Sequence, residues 1–332
     1  MSLLKILRHA EWWEYKLPPL LSIAYATLII NDEPVFNYAP HILLILLSLV
    51  VGAAYVSIIN DITDIDDDLA AGKTNRMAAV APQKRWIFPA LALLIGLLFL
   101  IFFYGQDRLS SLFYLIPWIS FSLYSFRPIR LKNRGFLGVL ADASGSHIFT
   151  SLLMVSSVSY ISGHPVIYPW LLLVAVWALC YGLRGILWHQ FHDRDNDIRS
   201  GIETFATKRS PQSFKTAELL IFGVELIVTL GMLVLVNKTI VYLAAIAYFI
   251  LVLMRLRRLR LFPLVIIEPK RPYQILMLDF MQVFFPVALL VYAAITQPKG
   301  WIVLLIHLAL FPFKTIQVLK DYKRALLGQS GL

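Results

Sequence analysis

Residues 41–68 read HILLILLSLVVGAAYVSIINDITDIDDD. From His41 to Ile59 the run is almost wholly apolar and long enough to cross a bilayer core, which takes about 20 residues. It then ends on Asn60, Asp61, Asp64, Asp66, Asp67 and Asp68. A membrane span that stops on a block of acids is the feature that decides how the rest of the chain is read. The 332 residues are 59% hydrophobic and only 15% charged, with a mean hydropathy of +0.72. A soluble domain carries about 25% charged residues, so a soluble fold is excluded. The expected class is all-α and polytopic.

Further candidate spans are Leu17–Ile30, Trp86–Tyr104, Leu109–Phe126, Phe136–Ser159, Val166–Trp188, Ala217–Val236, Ile240–Met254, Leu276–Ile295 and Trp301–Phe313. The first and last are short, so nine or ten helices are expected. The whole chain, 1–332, reads as one transmembrane domain. Residues 1–16 form an interfacial N-terminal segment rather than a cleavable signal, and 300–332 supply a candidate further helix and tail.

Basic residues set the orientation. Lys5, Arg8 and Lys16 precede the first span, and Lys73, Arg76, Lys84 and Arg85 follow the second. Arg127, Arg130, Lys132 and Arg134 follow the fourth, Arg194, Arg199, Lys208, Arg209 and Lys215 the sixth, and Arg255, Arg257, Arg258, Arg260, Lys270 and Arg271 the eighth. The opposite connections hold Arg108, Lys238 and Lys299. The positive-inside rule then puts the N-terminus and the acidic loops in the cytoplasm. The formal charge of +10 is accounted for by topology, and no nucleic-acid partner is expected. The single cysteine, Cys180, lies inside a span and rules out an intramolecular disulfide.

A second acidic block, HQFHDRDND at 189–197, ends the sixth span. Helical positions four apart share a face, so Asn60, Asp64 and Asp68 form one ladder, with Asp61 beside it, and His189, Asp193 and Asp197 form another. Asp64-x3-Asp68-x3-Gly72 matches Asp193-x3-Asp197-x3-Gly201, as a degenerate internal duplication would. Stacked carboxylates at helix C-termini oppose the helix dipole. They make sense as ligands for Mg²⁺, a hard cation that takes carboxylates together with substrate phosphates. A calcium-loop reading of 193–204 fails because Ile198 stands where the turn needs glycine and Thr204 where the closing glutamate should be. Zinc on His189, His192 and Asp193 lacks any supporting cysteine or histidine cluster.

A diphosphate on such ions would need cations around it. The segment from Tyr124 to Gly135, with Arg127, Arg130, Lys132 and Arg134, supplies them after Pro128 stops the fourth helix. Lys16, Arg76, Arg199 and Lys208 are further candidates. Arg184 lies inside the sixth span, where an ionised side chain marks a functional or structural pivot; its expected partner is one of the aspartates or a bound phosphate.

These residues resemble the UbiA superfamily of intramembrane prenyltransferases. Asn60-Asp61-x2-Asp64-x3-Asp68 looks like its first aspartate motif, and Asp193-x3-Asp197 with Gly201 and Thr204 like its second. Tyr124-Ser-x2-Pro128-x-Arg130-Leu-Lys132 is similar to its loop after the fourth helix, and Trp13 and Lys16 fit the segment before its first. The resemblance implies about nine helices around a central cavity with a cytoplasmic polar cap. It also implies Mg²⁺-dependent ionisation of a prenyl diphosphate and transfer of the prenyl group to an aromatic or lipid acceptor. Asn60, Asp61, Asp64, Asp68, Asp193 and Asp197 become metal ligands, and Lys132 and Arg76 diphosphate contacts. The chain departs from the family at Asn75-Arg76-Met77-Ala78-Ala79 and at Asp195-Asn196, which leaves the acceptor open. A terpene cyclase and a prenyl-phosphate-using glycosyl transferase share these motifs. A cation-coupled transporter is the alternative from another class.

Overall fold

The computed structural model describes residues 9–70, 72–199, 201 and 203–327. Its main helices are α1 (His9–Ile30), α2 (Val35–Thr63), α3 (Pro82–Tyr104), α4 (Arg108–Ser125), α5 (Phe136–Ile161), α6 (Tyr168–His192), α7 (Pro211–Val236), α8 (Thr239–Arg258), α9 (Phe280–Thr296), α10 (Gly300–Leu310) and α11 (Pro312–Leu326). Six of them, α2, α3, α5, α6, α7 and α8, are long and apolar enough to span a membrane. The chain is a multi-pass integral membrane protein. The segment expected at the interface over residues 1–16 lies partly outside the described residues, and from His9 the chain already runs in α1.

The tenth span expected over 301–313 is not a straight crossing. α10 has 11 residues, about 16 Å at 1.5 Å per residue, and α11 turns away from it by 86°. The two together can count as at most one bent span, giving seven.

Lipid-facing and buried helices differ in pattern. α3 turns Leu91, Leu94, Leu97 and Ile101 outward, as a peripheral helix in hydrocarbon should. α1 is buried on every side from Leu17 to Ile29 and packs on α2, α5, α7 and α9. A helix apolar all round belongs in the interior, and α1 is the strut about which the others stand. α2 pairs with α3, α4 with α5, α6 with α7 and α8 with α9. At 29 residues α2 is about 44 Å long, well beyond the roughly 30 Å hydrocarbon core, long enough for its acidic end to stand clear of an apolar layer.

Two features were not foreseen. The segment after α8 forms a parallel strand pair, β1 (Phe262–Leu264) and β2 (Tyr273–Ile275), at the aspartate-bearing end of the bundle. The last helix is also locked down. Arg255 on α8 donates from Nη1 to Asp279 (2.5 Å) and from Nη2 and Nε to Asp321 on α11 (2.7 and 3.0 Å). The Glu14 carboxylate accepts the exposed amides of Phe313 and Lys314 at the start of α11 (2.9 and 2.7 Å), and Trp13 Nε1 donates to Leu310 O (2.9 Å).

Candidate active site

The two acidic motifs fold alike, position for position. Asp64 caps α2 and Asp193 caps α6, each donating its amide to the carbonyl four residues back, Asn60 and His189 (3.0 Å in both). A six-residue helix follows each, Ile65–Ala70 and Arg194–Arg199. The amides of Asp68 and Asp197 return to Asp64 O and Asp193 O (2.8 and 2.9 Å), so the ladder spacing survives the break in the helix. Gly72 and Gly201 then turn the chain with φ +69° each, a left-handed conformation that glycine adopts at little cost. Single turns of 3₁₀ helix, Met77–Ala79 and Ala206–Lys208, bury Met77 and Ala206 completely. Pro82 and Pro211 open the next helices, where a missing N–H costs nothing.

Asn75 organises the first motif. Its Nδ2 donates to Asp61 O and Asp68 Oδ2 (2.8 Å each), and its Oδ1 accepts from the amides of Met77 and Ala78 (2.9 and 3.1 Å). Thr204 holds the equivalent place in the second motif, its Oγ1 accepting from Thr207 N (3.4 Å). Asp61 is buried, with Arg76 Nη1 at 3.7 Å from Oδ2. Asn60 Oδ1 accepts from Ser125 Oγ, joining α2 to the end of α4.

The basic loop after α4 reaches the first motif. Arg130, at φ +40° and buried, donates from Nη2 to Asp64 Oδ1 (2.8 Å) and Asp67 Oδ2 (2.6 Å). Lys132 Nζ donates to the same Asp64 oxygen. Burial holds the Lys132 ammonium below its usual pKa, while Asp64 works against that shift.

The second motif is barer. Asp193 is exposed and, among the described residues, its carboxylate makes no side-chain bond; Asp195 is 87% exposed beside Arg194. Asp197 is buried, and that burial, with the like charge of Asp193, raises its pKa. Lys73 from the loop after α2 is the cation opposing that shift, which places the two motifs in each other's electrostatic reach. Among the described residues no three His, Cys, Asp or Glu side chains are drawn into a ready-made metal cluster. Like-charge repulsion, with Asp64 already turned to Arg130 and Lys132, accounts for the spread. The donor set is nonetheless all hard oxygen from carboxylates at one end of the bundle, which suits Mg²⁺ completed by phosphate oxygens.

Three further basic residues singled out in the sequence have partners of their own. The partner of Arg184 is Glu225 on α7 (2.5 Å), not an aspartate of the motifs; it also donates to Leu276 O (2.6 Å) and Val265 O (3.4 Å). It therefore pins the strand pair over α6. Lys208 is exposed on Glu203 (2.6 Å), and Arg199 Nε turns back to Asp195 O (3.2 Å). His192 is taken by Glu268 (2.9 Å), so nothing supports the zinc alternative.

Behind the motifs, between α1, α2, α4 and α5, lies a mostly apolar cavity. Lys16 stands on its wall, while Tyr124, half-buried on α4, packs edge-on to the lining residue Phe121 (6.1 Å between rings). Leu49, Gly52, Ala53 and Val56 form the α2 wall, on the stripe that continues into Asn60 and Asp64. Sequence reasoning passed over Asp142 and His147 on α5, which share electrostatic contact with Lys16, and Glu225 on α7. The signal was an ionisable residue inside an apolar span, applied only to Arg184.

A search of the curated proteins found no match to this chain. Among solved structures the chain is similar to a UbiA homolog from Archaeoglobus fulgidus, at 13% identity over 96% of this chain and 98% of that one, with a TM-score of 0.51. The same homolog bound to Cd²⁺ matches at 13% identity over 96% and 97%, with a TM-score of 0.50. Its form bound to GPP and Mg²⁺ matches at 14% identity over 96% and 98%, with a TM-score of 0.47. These likenesses concern the fold. A sequence profile of the UbiA prenyltransferase family matches residues 20–265, which include both acidic motifs, the basic loop and the cavity walls from α2, α4 and α5. On that match, this chain belongs to the UbiA prenyltransferase family.

Proposed function

We propose that the chain binds an allylic prenyl diphosphate with its diphosphate between the two acidic motifs and its tail in the cavity, and transfers the prenyl group to an aromatic or lipid acceptor. The observation that carries this reading is the course of α2: it forms the apolar wall from Leu49 to Val56, carries Asn60 and Asp61 on its last turn and ends with Asp64 at its cap. An amphiphile with a long apolar tail and a polyanionic head, bridged by cations, matches both halves.

Asn60, Asp61, Asp64 and Asp68 on one side and Asp193 and Asp197 on the other would hold Mg²⁺. Bound Mg²⁺ would neutralise the diphosphate and lower the cost of charge building on the leaving group. Arg130 and Lys132, poised on Asp64, and Arg76, beside Asp61, supply positive charge at the same place. The bond that breaks joins the prenyl C1 to the bridging diphosphate oxygen, and its electron pair leaves with pyrophosphate. The acceptor's nucleophilic atom then bonds to C1 and gives up its proton. The apolar cavity keeps water from the cation, and the ring faces of Trp118, Phe121 and Tyr124 can stabilise it. By the positive-inside rule the motif end faces the cytoplasm.

The test uses purified protein, Mg²⁺ and radiolabelled geranyl or farnesyl diphosphate with a lipid-extract acceptor. Asp64→Ala and Asp193→Ala should each cut pyrophosphate release by about 10²–10³-fold or more, the scale on which a transition-state charge stabiliser is lost. Release at the wild-type rate by either variant would overturn the assignment of these motifs.

A further inference from the structure

We infer that α11, together with the end of α8, forms a binding site for the headgroups of anionic phospholipids in the leaflet at the aspartate-bearing end of the bundle. The inference is independent of the prenyl reading and uses none of its residues.

The course of the chain lays α11 along the membrane plane. α10 runs with the bundle, packing on α2 and α9, from Lys299 beside Phe36 at the start of α2 to Leu310 on Trp13 at the start of α1. α11 then turns off by 86°. Its inner face rests on α8 and α9, where Val318 packs with Leu251 and Val283 and Asp321 is bonded to Arg255. These contacts fall within the last two turns of α8, whose 20 residues cover about 30 Å, the thickness of the hydrocarbon core. α11 therefore lies where that span passes from acyl chains to headgroups. The bonds at Phe313, Lys314 and Asp321 hold it there in advance, which spares a ligand the cost of ordering it.

The outward side has the makeup of an interfacial helix. Phe313, Ile316, Leu319, Leu326 and Leu327 are exposed, and by helical spacing they fall on the side away from buried Val318, Asp321 and Ala325. Such a stripe is covered when it sinks into the acyl boundary of a leaflet. Lys320 and Lys323 rise from the same side, with stems placed to lie along the stripe while the ammonium groups reach the headgroups. Arg324 stands beside them, and the Arg255–Asp321 bond brings in Arg257, Arg258 and Arg260 from the end of α8. All six cations are exposed and, among the described residues, none pairs with an acid. The only acid on either helix, Asp321, is already bonded to Arg255. A second copy of this chain would set like charges against one another. Anionic headgroups over acyl chains complement both the cations and the stripe, as basic clusters on amphipathic helices do at anionic leaflets.

The experiment reconstitutes the full chain in phosphatidylcholine bilayers and reads two signals. In the first, electron paramagnetic resonance compares the protein-restricted fractions of spin-labelled phosphatidylglycerol and phosphatidylcholine. Wild type should select phosphatidylglycerol by about threefold or more, with the preference fading at about 0.5 M salt. Lys320→Gln, Lys323→Gln and Arg324→Gln together should remove most of that preference, while Lys208→Gln, Arg209→Gln and Lys215→Gln together should keep it. In the second, a fluorophore on Leu319→Cys should be quenched by acyl-brominated lipid, and one on Gln212→Cys should not; buried Cys180 does not compete for the label. A selectivity that the α11 triple variant leaves unchanged, or that both triple variants lower equally, overturns the site. Absence of quenching at Leu319 overturns it too, because the stripe would then be covered by something other than lipid.

Discussion

The first and second acidic motifs share a backbone plan but differ in how far they are already held. In the first, Asp61 is buried, Asp68 is bonded to Asn75, and Asp64 is gripped by Arg130 and Lys132. In the second, Asp193 is exposed and bonded to no side chain among the described residues, and Thr204 stands where Asn75 would be. The two segments share turns, caps and carboxylate spacing but differ in their supporting contacts. On the proposed function the first would be a preorganised seat, and the second a set of ligands ordered by what it binds.

The largest expected effect separates the two. Asp64→Ala and Asp193→Ala should both abolish turnover, but only the first should also destabilise the fold. It removes the carboxylate that buried Arg130 holds beside Asp67 and that Lys132 pairs with, a loss of about 1–3 kcal/mol, read as a lower melting temperature in detergent. Equal melting temperatures for the two variants would erase the distinction. Next come the cations. Arg130→Ala and Lys132→Ala should reduce pyrophosphate release by about 10–100-fold, the scale for groups that orient metal ligands. Arg199→Ala and Lys208→Ala should stay within about threefold, since surface charges of this kind are worth little. A large loss at Lys208 would show that the second motif closes on substrate further than its present contacts suggest.

Smaller again is the effect on the loops. Asn75→Ala removes four hydrogen bonds around a buried amide and should cost about 1–3 kcal/mol, whereas Thr204→Ala should cost about 0.5–1.5 kcal/mol. Thermal unfolding of both variants reads this difference directly. The smallest effect is a matter of pH. Burial and the charge of Asp193 raise the pKa of Asp197, so as pH falls it takes up a proton earlier than an ordinary aspartate would. Cation affinity at the second motif is then full above that raised pKa and lost below it. Mn²⁺ titration followed by electron paramagnetic resonance should show this step, and Asp197→Asn should remove it.

Much of this was legible in the sequence because a bilayer simplifies the problem. Spans such as 41–59 and 166–188 announce themselves by length and apolarity, and a four-residue carboxylate spacing reads the same on any helix. The matched aspartates and glycines foretold the shared backbone of the motifs down to the turns at Gly72 and Gly201. What could not be read were partners brought together only by packing. Arg184 was seen to need a counter-charge, but nothing local pointed to Glu225 on the neighbouring helix. The strand pair at 262–275 is three residues a side and carries no periodic signal. The fold-back at Phe311 was hidden for another reason: α10 and α11 together have the length of a span, and only the 86° bend between them tells otherwise.

The fastening of α11 has a consequence for how the molecule is made. Glu14 and Trp13 stand at the start of α1, yet their partners, Leu310, Phe313 and Lys314, are almost the last residues described. α1 is also the buried helix against which α2, α5, α7 and α9 pack. A chain emerging N-terminus first must therefore insert its central strut long before the residues that seal that strut exist. Until residues 313 and 314 emerge, the Glu14 carboxylate waits for its partners, so this closure spans about 300 residues of chain. A truncation near residue 310 would do more than remove a tail, because it would leave the first helix to be made without the last contacts that hold it.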